Sequence, residues 1–307
     1  MLFIHHFPHS FYFVNRGKKI PKTNKHQPEP QNHAFKRNLF VGIYPGLGYN
    51  ECKEAPLISI LIIGNEILSA QVEDVNLKYM LGKLNKAGYV IDEVRIVRDD
   101  VPVIAGALKE LSAHSQFVIS TGGVGPTHDD VTFQAYAAAF DMPLEMHAEL
   151  EQRIRGFFGE ETTSASLRMA VVPRGTELII SGPSSWPIVK VANCFVLPGL
   201  PEVFFKKFDG VLAWLPQPPD RYFAQLRTQS PEVDFAAELT TLQEAHPQVE
   251  IGSYPTYDHT HHAASLTFKS GDLSVLNAVF NHMRAFFLER DSLVDVDEPV
   301  CIAQKEQ

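Results

Sequence analysis

Gly122, Gly123 and Gly125, followed at once by Asp129 and Asp130, set a backbone almost free of side chains beside two carboxylates. Glycine permits the sharp turns and positive φ angles that leave main-chain N–H groups facing a ligand. A helix start beside such a loop favours an anion. Paired carboxylates at a phosphate suit a divalent cation, because hard cations take oxygen from protein and phosphate together. Thr121, Pro126 and Thr127 belong to the same loop. The plain reading of Asp129, Asp130 and Thr132 is as caps and first-turn residues of a helix over Phe133 to Phe140. Two carboxylates after three glycines and a strand point instead to a phosphate and metal site. The run has neither the G-x-G-x-x-G of a dinucleotide fold nor the Gly-Lys-Ser/Thr of a Walker loop.

A second glycine turn, Gly64-Asn65-Glu66, closes an earlier apolar segment. Glu66 there is a third candidate carboxylate, weighed against an exposed turn residue. Asp74 and Asn76 stand before the next helix, where either serves as a cap, and capping is the role read for Asn76. His259, His261 and His262 are the densest group of imidazoles, but no carboxylate or cysteine accompanies them at ligand spacing, so they read as a solvated loop. Ser120, Ser184 and Ser185 lack a matching His and Asp arrangement, which argues against a serine nucleophile.

These groups need a frame, and the pattern supplies one. Leu57 to Ile63, Val90 to Val97 and Phe117 to Ile119 read as strands, with helices predicted over Asn76 to Ala87 and from Val101 to about Ala113. Alternation of this kind indicates β-α-β units and a parallel sheet covered on both faces, with ligands at the carboxyl ends of the strands. Helices follow over Ala148 to Phe158 and Glu161 to Arg168, then a strand over Met169 to Val172. Ile188 to Val191 and Cys194 to Leu197 form a hairpin at Ala192-Asn193, and Pro201 opens a helix to about Leu215. The run Pro216-Gln217-Pro218-Pro219 marks a boundary. Beyond it a β-α-β-β-α order occupies Tyr222 to Leu288, and the acidic end reads as a solvated tail.

The run from Gly122 to Thr132 resembles the signature of the molybdopterin-binding (MoaB/Mog-like) domain family, in the branch shared by CinA-type proteins and the N-terminal domain of eukaryotic FAD synthases. Gly64-Asn65-Glu66-Ile67-Leu68, Asp74-Val75-Asn76 and Val196-Leu197-Pro198-Gly199-Leu200-Pro201-Glu202 fit the same branch. Together they cover about Leu57 to Phe287. The Trp186-Pro187 segment is more similar to the FAD synthase side. The resemblance implies an α/β fold with a parallel-sheet, three-layer core over 55–217 and a second, smaller α/β domain over 220–290, while composition and charge set off a leader over 1–54 and an acidic tail over 291–307. It places ligand contacts at Gly64, Asn65, Asp74, Thr121, Gly122, Gly123, Gly125, Pro126, Thr127, Pro198 and Gly199. Glu66, Asp129 and Asp130 become the expected catalytic and metal-holding carboxylates. Molybdopterin or FAD is the implied ligand, a divalent ion the implied cofactor, and a homo-oligomer the implied assembly.

Composition sets bounds on partners. A net charge of −9 argues against broad nucleic-acid binding, and no apolar run is long enough to span a membrane. Cys52, Cys194 and Cys301 are far apart, so neither a zinc site nor a disulfide framework is indicated and a reducing, cytoplasmic setting is expected. Residues 1–54 are rich in His, Pro and aromatics. Their basic residues leave a mitochondrial presequence as the minor alternative to an unfolded extension.

Three activities suit these features: metal-dependent hydrolysis of a dinucleotide pyrophosphate such as FAD or ADP-ribose, transfer of AMP onto molybdopterin, and binding of a pterin or nucleotide without turnover. Hydrolysis is the leading expectation. The string Ser-Gly-Gly-x-Asp-Ser does not occur in the chain, so FMN adenylylation by this chain alone is not expected.

Overall fold

The computed structural model describes residues 56–180, 186–256 and 261–302. In the first half, β1 (Leu57–Ile63) leads through the single-turn helix α1 (Asn65–Leu68) to α2 (Asn76–Lys86) and β2 (Val90–Val97). Then α3 (Val101–His114), β3 (Phe117–Thr121) and α4 (Thr132–Phe140) complete the β-α-β units. An excursion follows, made of β4 (Leu144–Met146), α5 (Ala148–Phe158), α6 (Ser164–Arg168), β5 (Val171–Pro173) and β6 (Glu177–Ile179). The chain returns through β7 (Ile188–Val191), β8 (Cys194–Leu197) and α7 (Pro201–Trp214).

The main sheet runs β2-β1-β3-β8-β7-β6. β2, β1, β3 and β8 are mutually parallel, and β7 and β6 add an antiparallel edge. Alternation along β1 divides its side chains between two cores. Leu61 and Ile63 pack with Ile104, Leu108 and Leu111 of α3 and Phe133 and Tyr136 of α4. Ile58, Ile60 and Ile62 pack with Met80 and Leu84 of α2 and Phe204 and Phe208 of α7. Burial on both faces is what a parallel sheet between two helix layers requires. The three-layer core is therefore present, and its parallel strands all deliver their carboxyl ends to one edge. β4 and β5 pair with each other as a separate two-stranded sheet, and the short strands β4 and β6 carry no periodic signal in the sequence.

The second, smaller domain holds β9 (Tyr222–Thr228), α8 (Ala236–Ala245), β10 (Glu250–Pro255), β11 (Ala264–Ser270), α9 (Leu273–Glu289) and β12 (Leu293–Cys301). Its sheet order is β10-β11-β9-β12 and all its pairings are antiparallel. Phe268, Leu276, Phe280, Met283 and Phe287 fill its own core.

β12 corrects the expected acidic tail. It pairs with β9 along its length, Asp295 and Asp297 face Arg227 at 2.8 and 3.3 Å, and Glu298 meets Arg284 at 3.0 Å. The acidic side chains sit on an edge strand, where charge discourages further strand pairing, and Pro299 suits the same edge. Charge, proline and two register shifts, between Leu293 and Asp295 and between Asp297 and Val300, together hid the strand.

Candidate functional site

Four chain segments meet at the carboxyl edge of the main sheet. The first is the turn after β1. Gly64 N donates to Val97 O at 3.1 Å and Asn65 N to Asp99 Oδ2 at 2.8 Å, which fastens this turn to the end of β2. Asn65 and Glu66, read as a turn, open the helical turn over residues 65–68, and the Glu66 carboxylate folds back over Gly64. A Cβ there would lie 2.5 Å from Glu66 Oε1.

The second segment is the glycine loop after β3. Gly122 has φ +105°, and a Cβ on it would fall 2.0 Å from Ile63 O, so only glycine fits. Gly122 N donates to Leu197 O at 3.1 Å. Thr132 closes the loop from the other side, its N bonding Gly123 O at 3.1 Å and its hydroxyl Gly122 O at 2.8 Å. Gly123 has φ +62° and lies against Asp99 and Thr132. Among the described residues the N–H groups of Gly123, Val124 and Gly125 meet no protein acceptor. They stand beside the start of α4, whose dipole favours negative charge.

The aspartates do not cap α4 as the sequence suggested. The helix begins at Thr132 with no side-chain cap, and Asp130 reaches back to accept from Thr127 N at 2.8 Å and from the Thr127 hydroxyl. Asp130 stands two residues before the helix start, too early to cap it, and closes the loop on itself instead. The neighbouring Asp129 is exposed. The Thr127 hydroxyl holds the Asp129 carboxyl below its usual range, with the Asp129 amide and His128 acting the same way. One hydroxyl proton serves one oxygen at a time, and the close contact is to Asp130.

The third segment corrects Asp74 and Asn76. Asp74 Oδ1 accepts from Leu77 N at 2.6 Å and caps α2, whereas Asn76 is buried and donates from Nδ2 to Gly199 O at 2.8 Å. The cap thus falls to Asp74, not to Asn76 as the sequence reading had it. Asn76 Oδ1 is buried and finds no hydrogen-bond donor among the described residues, an uncommon condition for a buried polar atom. The fourth segment is Pro198-Gly199 after β8, where Pro198 O accepts from the Thr121 hydroxyl at 2.9 Å and Gly199 lies against Gly122.

Two small clefts of about 100 Å³ each flank the glycine turn. One is lined by Glu66, Asp74, Asn76, Thr121, Gly122 and Gly199 among others. The other is lined by Gly123, Val124, Gly125, Asp130, Phe133 and Arg168 among others. Glu66 and Asp130 therefore line different clefts. Among the described residues no three His, Cys, Asp or Glu side chains converge where they could hold a metal ion. The expected Glu66, Asp129 and Asp130 set does not form a ready three-ligand centre. Sequence reasoning missed Asp99, which bonds the first glycine turn at Asn65 N and lies against Gly123 of the second, and Arg168, at the end of α6. Asp99 had a visible sign, since Asp100 alone suffices to cap α3 and accepts from Val103 N at 3.1 Å.

Other candidates resolve as structural. Ser120 is buried and bonds the Tyr136 hydroxyl at 2.8 Å, and burial pushes the Cys194 thiol up to about 12. His262 bonds the Ser265 hydroxyl at 2.9 Å. His259, Ser184 and Ser185 lie outside the described residues.

Taken together, the edge is that of an α/β domain whose glycine loop, among the described residues, leaves backbone N–H groups open beside a helix start. A family model for a probable molybdopterin binding domain matches residues 59–217, and one for the middle domain of FAD synthase matches residues 221–296. The chain belongs to the molybdopterin-binding domain family.

Relatives place it further. The chain is 29% identical over 253 residues to a probable FAD synthase of Caenorhabditis elegans, covering 74% of this chain and 49% of that one. It is 39% identical over 155 residues to a CinA-like protein of Citrifermentans bemidjiense, covering 47% and 36%. A protein of Archaeoglobus fulgidus is 32% identical over 196 residues, covering 64% of this chain and 84% of that one. The chain spans about half the length of the FAD synthase relatives it matches. Among solved structures, the protein CinA from Thermoplasma acidophilum aligns with 27% identity over 52% of this chain and 97% of that one, with a TM-score of 0.48. Among the described residues no helix is long and apolar enough to cross a membrane.

Proposed function

We propose that this site binds a dinucleotide through its pyrophosphate and hydrolyses it, with FAD or ADP-ribose as the substrate class. The observation that carries the reading is the set of N–H groups on Gly123, Val124 and Gly125, left without acceptors among the described residues beside the start of α4. Such donors stabilise the negative charge that gathers on phosphate oxygens as water attacks phosphorus. Attack breaks the bridging P–O bond and leaves two monophosphates. Asn76 Oδ1, without a donor among the described residues, supports a ligand carrying an N–H, such as the ring N–H of a flavin or the exocyclic amino group of adenine. Glu66 lines the cleft on the other flank of the glycine turn, and from there it would take a proton from water attacking a phosphate held at the turn.

Because the carboxylates do not converge, no step is assigned to a metal ion held by all three. That same separation favours a second reading, binding of a pterin or nucleotide without turnover. One experiment decides between them. Purified protein is incubated with FAD, ADP-ribose, NAD or adenylated pterin, with several divalent ions in turn, and products are separated by chromatography. Monophosphate release by the wild type and its loss in Glu66→Gln is the expected result. Tight binding of a ligand with no product under any ion would establish the second reading.

A further inference from the structure

We infer that Arg168 makes this site selective for a pyrophosphate over a single phosphate, by holding the second phosphate across the cleft behind the glycine loop. This inference rests on the phosphate-binding reading of the loop and sharpens it. Arg168 ends α6, lines the cleft whose other wall is Gly123, Val124 and Gly125, and places Nη1 3.5 Å from Pro126 O in the same loop.

Its partners distinguish it. Among the described residues every other arginine either has a carboxylate within ion-pair distance or, for Arg290, lies on the ring of Phe286 at 3.5 Å. Arg168 has neither, and its bond to a neutral carbonyl leaves the charge of the guanidinium unmatched. Asp130 lines the same cleft, yet it is turned onto Thr127 and forms no ion pair with Arg168. Phe133 and Val171 add apolar surface, where a charge-assisted bond gains strength. A planar fork of donors facing a row of amide N–H groups is suited to two linked phosphates, one on each wall.

The test compares inorganic pyrophosphate with inorganic phosphate by titration calorimetry on the whole chain. Wild type should bind pyrophosphate at least about tenfold more tightly, the scale of one charge-assisted contact. Arg168→Gln should erase that preference while keeping the affinity for phosphate, and Arg168→Lys should restore part of it. Melting temperature should not change, since Arg168 is exposed and unpaired. Gly123→Ala, at φ +62° and 2.5 Å from Thr132 Oγ1, should weaken both ligands. If Arg168→Gln keeps the wild-type preference while Gly123→Ala loses both ligands, the role of Arg168 is refuted and the loop reading stands. If neither substitution alters binding, both are refuted.

Discussion

Replacing Gly122 with alanine tests the glycine turn against an internal reference, the same substitution at Gly106. At Gly122 the backbone has φ +105° and the new Cβ would fall 2.0 Å from Ile63 O, a backbone atom of the buried strand β1. Holding a residue with a side chain in such a conformation costs about 1–3 kcal/mol. The collision adds to this, because a buried main-chain carbonyl cannot swing aside as the end of a long side chain can. A total loss of about 3–5 kcal/mol is expected, a large share of the ~5–15 kcal/mol that holds a typical domain. Gly106 lies inside α3 with nothing within 4 Å of its new Cβ. There alanine should stabilise by about 0.5–1 kcal/mol through better helix propensity. Urea unfolding of the three proteins gives both numbers, and pyrophosphate titration reports whether the loop survives. A Gly122→Ala protein within about 0.5 kcal/mol of wild type, with normal binding, would refute the argument that this turn admits only glycine.

Lys207 supplies a pH dependence. It is buried, donates to Trp186 O and Pro187 O, and burial lowers its ammonium to about 8. An unfolded lysine titrates near ~10.4, so between these values the unfolded chain holds more protons and stability rises with pH. The penalty is present in full below the folded value and fades as pH approaches the unfolded one, with an upper limit of roughly 3 kcal/mol that the two carbonyl bonds reduce. Denaturation midpoints from pH 7 to 10 should climb for wild type and stay flatter for Lys207→Met; parallel curves would show that Lys207 is not the source. Asp99→Ala should remove the tie from Asn65 N, cost about 1 kcal/mol and weaken pyrophosphate binding, as read by melting and titration. Unchanged binding in that variant would mean that the two glycine turns act separately.

How much of this was legible in the sequence follows from what each signal depends on. Burial on both faces gives Leu57 to Ile63 a continuous apolar run that needs no partner to be recognised, and Ala148–Phe158 and Ile188–Val191 matched their predicted bounds. The turn at Gly122 and Gly123 was readable because positive φ restricts the residue type. Side-chain direction within loops was not. Asp74 rather than Asn76 caps α2, and Asp130 turns back to Thr127, because each choice depends on what the neighbouring segment offers in space. Whether Glu66 and Asp130 share a cleft likewise depends on how the turn at Gly122 and Gly123 passes between them. Arg168 carried no local sign, since its distinction is the absence of a carboxylate contributed by any other element.

The pairing of β9 with β12 sets how the smaller domain would bear a load. Tyr222, at the start of β9, sits opposite Cys301, at the end of β12, and Ile302 N bonds Arg221 O at 2.7 Å. The chain enters and leaves at the same end of one antiparallel ladder. Tension applied at residues 221 and 302 would draw on the cross-strand bonds in succession, from that end inward, as in a zip. Each bond would carry the force alone, so the domain should open at low tension even though its core of Phe268, Phe280 and Phe287 is well packed.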